Sequence, residues 1–123
     1  MKKILIILII SFPSTVFSFE KTTNFTFKKF ADAQNNGKTI VINSWNKNCM
    51  TCAKQLKILH NAKNDFKNVE FLFYEQTKHD DFAKALDIKF WSTIVIYKGK
   101  KEVVREIGLV IKEDIYNIIK KGV

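Results

Sequence analysis

The sequence predicts an α/β protein with a central mixed β-sheet flanked by helices. Three observations carry that expectation. Ile40-Val41-Ile42 is an unbroken apolar run, as in a strand buried on both faces of a sheet. A stretch of helical period follows it, and then a β-rich run at Val69 to Tyr74. The chain closes on a strand-turn-strand signal around Lys98-Gly99-Lys100 and a helical stripe of isoleucines. With 123 residues, 46 % of them hydrophobic, four glycines and one proline, the chain holds one domain with a modest core.

The first residues combine a basic start (Lys2, Lys3), an apolar run from Ile4 to Ile10, and Val16-Phe17-Ser18. That is the pattern of a secretory signal peptide over 1–18, with the run short for a membrane span. A single domain over 19–123 would then work in the periplasm or outside the cell, an uncleaved membrane anchor being the alternative. No cysteine follows the apolar run, which argues against a lipoprotein anchor.

Phe27, Phe30, Ala31 and Gln34 fall at helical spacing and predict a short helix from Phe25 to Gln34, ended by Asn36-Gly37. Asn24-Phe25-Thr26 fits a glycosylation sequon and is read as chance. Thr39 to Trp45 is the buried strand. A helix over about Cys49 to Phe66 places Cys52, Leu56, Leu59 and Phe66 broadly on one side, and Val69 to Tyr74 reads as a second central strand. Thr77-x-x-Asp80 resembles a capping box before a short helix through Leu86. Thr93 to Tyr97 and Glu102 to Ile107 form the hairpin. Ile111, Ile115, Ile118 and Ile119 mark the closing helix.

The two cysteines of the chain stand three residues apart in Cys49-Met50-Thr51-Cys52, between the first strand and its helix. Residues three apart on a helix share a face, with Cβ atoms about 5–6 Å apart, so a small adjustment closes or opens a disulfide. At the helix start, unpaired N–H groups and the helix dipole favour a thiolate. Cys49 is therefore the expected nucleophile and Cys52, one turn deeper, the resolving thiol. Two other readings stand beside redox chemistry. A structural disulfide here would close a loop of about four residues, worth only about 2 kcal/mol. Cys49, Met50 and Cys52 are also soft ligands suited to Cu(I). His60 lies about 12 Å along the helix from Cys52 and His79 near the start of another helix, in no common zinc spacing, so both are read as surface residues and no metal site is assigned to them.

Strand, Trp45, Cys49-x-x-Cys52 and helix, followed later by Ser92-Thr93-Ile94-Val95-Ile96-Tyr97-Lys98-Gly99, resemble the thioredoxin family over nearly the whole chain after the N-terminal segment. The resemblance implies a thioredoxin fold, an exported thiol:disulfide oxidoreductase and no cofactor. It also implies a cis-proline where Ser92 stands, an acidic residue where Asn43 stands, and a Trp where Asn48 stands. A cis bond before a non-proline costs roughly 2.5–4 kcal/mol, so a trans loop and a strained cis loop are both open. Ser92 offers a hydroxyl and a backbone N–H for substrate or for tuning the sulfur. Asn43 cannot accept a proton for Cys52. Asn48 removes an apolar shield, and the Met50-Thr51 pair differs from Gly-Pro. Trp45, Trp91 and Thr93 complete the residues expected to bind substrate or tune the pair.

The net charge of +9 comes from scattered lysines with no recognisable nucleic-acid motif, so no nucleic acid is expected as a partner. No phosphate loop or nucleophile elbow occurs. The expected activity is thiol–disulfide exchange on exported proteins, as a reductase or redox relay fed by a membrane electron donor, with the protein a monomer. A disulfide-forming oxidant competes within that class, and a copper-binding or copper-delivery protein stands outside it.

Overall fold

The computed structural model describes residues 23–123; the expected signal segment at 1–18 lies outside them. Among these residues, four helices and four strands follow in the order α1 (Phe27–Asn35), β1 (Thr39–Trp45), α2 (Met50–Asp65), β2 (Glu70–Glu75), α3 (Asp80–Ala85), β3 (Thr93–Lys98), β4 (Lys101–Ile107) and α4 (Lys112–Lys120). The sheet order is β2-β1-β3-β4. β1 runs parallel to β2 and antiparallel to β3, with Ile42 opposite both Leu72 and Val95, and β3 pairs antiparallel with β4. This is the thioredoxin fold, a mixed four-stranded sheet between helices.

Strand alternation splits the core into two layers, because successive side chains point to opposite faces. Val41, Phe71, Phe73, Ile94 and Ile96 meet Leu56, Leu59 and Ala62 of α2 and Ile115, Ile118 and Ile119 of α4. Ile40, Ile42, Leu72, Tyr74 and Val95 meet Phe25, Ala33, Ala83, Leu86 and Ile88 on the other face. β1 is buried from Ile40 to Trp45, as its apolar run requires. Among the described residues, no helix is long and apolar enough to cross a membrane.

Several local expectations are corrected. α1 turns Phe30 and Ala33 inward while Ala31 is exposed, because Phe25 lies outside the helix and anchors the chain from there. Phe25 is buried against Phe30 and Phe82 at ring distances of 5.7 and 4.7 Å. β2 is an edge of the described sheet, not a central strand. Thr77 caps nothing: α3 begins after His79 without a side-chain cap, and the Thr77 hydroxyl accepts from Asn46 Nδ2 at 3.0 Å. His60 and His79 stack on Phe73 and Phe82, half-buried, where the sequence placed both at the surface.

The edge of β2 is covered by the residues before α1. Asn24 Nδ2 donates to Phe71 O at 3.0 Å and its Oδ1 accepts from Phe73 N at 2.7 Å. The side-chain amide thus imitates a strand partner and blunts an open edge. Asn24→Ala orphans two backbone groups and is expected to lower stability by about 1–2 kcal/mol in urea titration; an unchanged midpoint would mean that water replaces the amide without penalty.

Candidate active site

The turn Asn46-Lys47-Asn48 delivers Cys49 to the start of α2. Asn46 is buried; its Oδ1 accepts from Asn48 N at 2.9 Å and its carbonyl from Cys49 N at 3.2 Å. Asparagine closes such turns through its own side chain. Cys49 itself is the N-cap of α2, in extended conformation, with Sγ accepting from Cys52 N at 3.1 Å. A sulfur therefore takes the place usually filled by a hydroxyl or carboxylate oxygen at a helix start.

Cys49 and Cys52 form a disulfide with Cα atoms 5.2 Å apart, inside the usual window. Cys49 is half-buried at the rim, whereas Cys52 is 1 % exposed. That asymmetry matches the roles expected of an attacking and a resolving thiol. Cys49 opens on a groove of about 650 Å³ lined also by Thr51, Lys89, Phe90, Trp91, Ser92 and Ile107. Met50, Phe90, Trp91 and Ile107 keep large apolar surface in water around it. Asn48 is exposed beside Cys49.

Ser92 holds the opposite wall. Every peptide bond among the described residues is trans, and Ser92 adopts φ 62. Its N–H donates to Ser44 O at 2.9 Å, so the backbone donor expected to meet substrate is already used inside the protein. Its hydroxyl lies 3.4 Å from Cys49 Sγ and 3.2 Å from Cys52 Sγ.

Two other expected site residues turn away from the groove. Trp45 is 3 % exposed and packs in the core cluster that contains Cys52, because position 45 of β1 faces α2. Thr93 is buried, and its hydroxyl donates to Phe90 O at 2.6 Å. Ser44 Oγ donates to the same carbonyl at 3.0 Å. Ser44 and Thr93 thus hold the Phe90 carbonyl, and neither Trp45 nor Thr93 lines the groove. Trp91, at 41 % exposure, is the tryptophan that the groove presents.

The sequence reading missed Gln55. This side chain is fully buried one turn after Cys52, with Nε2 donating to Ser92 O at 3.1 Å and Leu109 O at 2.9 Å. Its Oε1 accepts from Asn43 Nδ2 at 2.6 Å, and Asn43 Nδ2 also reaches Thr93 O at 3.3 Å. Three backbone carbonyls determine which way both amides point. The signal was a polar residue at i+3 from Cys52 on the helix face that carries Leu56 and Leu59. Away from this groove, Arg105 ties β4 to the end of α3, donating to Asp87 O at 2.7 Å and Leu86 O at 2.8 Å. A hydrogen bond to Glu102 raises its pKa above the ordinary arginine value.

A family model described as thioredoxin matches residues 18–121. Among solved structures, Trxlp from Edwardsiella tarda EIB202 is similar at 16 % identity and TM-score 0.74, over 77 % of this chain and 94 % of that one. Fasciola hepatica thioredoxin is similar at 20 % identity and TM-score 0.69, over 77 % and 89 %. Mitochondrial thioredoxin 3 from Saccharomyces cerevisiae, in oxidized form, is similar at 19 % identity and TM-score 0.71, over 83 % and 96 %. Among curated proteins no sequence matches.

Proposed function

The chain belongs to the thioredoxin family and is a thiol:disulfide oxidoreductase, and from that premise we propose that it reduces or relays electrons to disulfides of exported proteins. The observation that carries the reading is the pairing of Cys49, whose sulfur opens on an apolar groove, with Cys52, buried behind it. Such a groove takes an extended polypeptide segment.

In the reducing direction Cys49 thiolate attacks a substrate disulfide. One Cys49–substrate S–S bond forms, the substrate S–S bond breaks, and a substrate thiolate leaves. Cys52, having lost its proton to solvent, then attacks Cys49 Sγ; the second substrate thiolate leaves and the internal disulfide forms. Two electrons have passed to substrate, and a donor must return them. Export is supported by Lys2-Lys3, the Ile4–Ile10 run and Val16-Phe17-Ser18, and an exported reductase needs a membrane electron-transfer partner for that return. The donors that reach Cys49 Sγ, one backbone N–H and the Ser92 hydroxyl, are both neutral. Strong oxidants stabilise their thiolate further, so this arrangement favours the reducing side. Ser92 takes the place of the family's cis-proline in this reading.

The test is the reduction potential of the full chain in glutathione or dithiothreitol buffers. A value near about −270 mV, where thioredoxin lies, is expected. One near about −120 mV would make the protein an oxidant. Absence of a reversible couple, with Cu(I) retained after anaerobic reconstitution, would replace the proposal by copper binding through Cys49, Met50 and Cys52.

A further inference from the structure

We propose that the Ser92 hydroxyl is a catalytic hydrogen-bond donor shared by the two sulfurs, and that its main work is to stabilise the Cys52 thiolate released when the disulfide opens. The proposal rests on the redox reading of the Cys49–Cys52 pair. In the disulfide neither sulfur carries a proton, so the hydroxyl, 3.4 Å from Cys49 Sγ and 3.2 Å from Cys52 Sγ, is the donor to both.

The rest of Ser92 is held so that the hydroxyl can do this. Its N–H is used by Ser44 O, and its carbonyl accepts from Gly108 N at 3.0 Å and Gln55 Nε2 at 3.1 Å. The residue is 4 % exposed and sits at φ 62, a region that L side chains rarely adopt. Strain of this kind persists where surrounding contacts over-determine it, and it points to a role. Beneath Cys52 the usual alternative is missing. Asn43 has no proton to exchange; its amide N–H groups meet Gln55 Oε1 and Thr93 O, and those of Gln55 meet Ser92 O and Leu109 O. That leaves the Ser92 hydroxyl facing Cys52 Sγ.

The step balances simply. A substrate thiolate attacks Cys49 Sγ, the new S–S bond forms, and the Cys49–Cys52 bond breaks with its electron pair on Cys52 Sγ. The hydroxyl keeps its proton throughout and donates a hydrogen bond to the new thiolate. In reverse, the same bond holds Cys52 thiolate in place for attack on Cys49 Sγ.

Ser92→Ala and Ser92→Gly in the full chain separate the hydroxyl from the backbone. Both lack the donor, but glycine is at ease at φ 62 and alanine is not. The readout is the second-order rate at which dithiothreitol opens the disulfide. Loss of a hydrogen bond to a charged group predicts that both variants open about tenfold more slowly, with the reduction equilibrium moved toward the disulfide in each. Slowing in alanine alone would assign the effect to backbone strain and overturn the proposal, as would wild-type rates in both. A wild-type chain without a reversible couple would instead sink the redox reading itself, which the same buffers show before any variant is made.

Discussion

Cys52→Ser is expected to accumulate covalent adducts with substrate proteins through Cys49, while Cys49→Ser accumulates none. Both variants should lose catalysed exchange down to the uncatalysed background. Access separates the two sulfurs. Cys49 lies half-buried at the N-cap of α2, where its sulfur already accepts a backbone N–H and faces the groove. Cys52 is 1 % exposed beneath Ser92 and cannot meet a substrate disulfide before Cys49 does. With Cys52 replaced, the first half of the exchange proceeds and nothing resolves it, because a serine hydroxyl is not ionised at neutral pH. Non-reducing electrophoresis followed by mass mapping of the linked cysteine reads the result. Comparable adducts in the two variants would remove the distinction between attacking and resolving thiol.

Gln55→Leu is expected to be the most destabilising single change in the site. It leaves the Leu109 carbonyl and one Asn43 N–H without their partners inside the protein, while Ser92 O keeps Gly108 N. At about 1–2 kcal/mol for each orphaned group, the Leu109 contact being only part-buried, the loss is roughly 2–4 kcal/mol. For a domain of this size that lowers Tm by roughly 10–20 °C. Gln55→Glu adds a pH signature. A carboxylate oxygen placed where Nε2 now meets two carbonyls is repelled by both, so its folded-state pKa rises above the ordinary value of about 4.3. A raised carboxyl pKa contributes stability that is present below the unfolded pKa and lost as pH rises through the folded one. Relative to wild type, Gln55→Glu should therefore weaken steadily from acid toward neutral pH in urea titration. A difference that stays flat with pH would mean the amide does not point at those carbonyls.

What was legible in the chain was local. The apolar run of β1, the isoleucine stripe of α4 and the hairpin at Gly99 follow from periodicity and turn chemistry within a few residues of each position. The cysteine pair was legible for the same reason, since spacing and a helix start place both sulfurs. Where neighbours in space decide the matter, the reading slipped. Ala31 and Ala33 are equally good candidates for an inward helix position until Phe25 is known to pack outside the helix and choose the face. Thr77 looks like a cap until Asn46, thirty-one positions earlier, claims its hydroxyl. Trp45 suits groove and core equally until β1 is seated with that face against α2.

Legible from the chain alone, then, were the α/β class, the order of strands and helices, and a redox-spaced Cys49–Cys52 pair at a helix start. Short-range rules of period, turn and cap suffice for these. Only the tertiary structure decided that Ser92 sits at positive φ with its hydroxyl between the sulfurs. The same holds for Gln55 and Asn43 locking the surrounding loops, and for Asn24 closing the edge of β2. These contacts join residues 12 to 54 positions apart, and a hydrogen bond across such a distance is set by how the strands pair and the helices pack. A buried amide reads in sequence as one more polar residue; its partners exist only once the chain has folded around it.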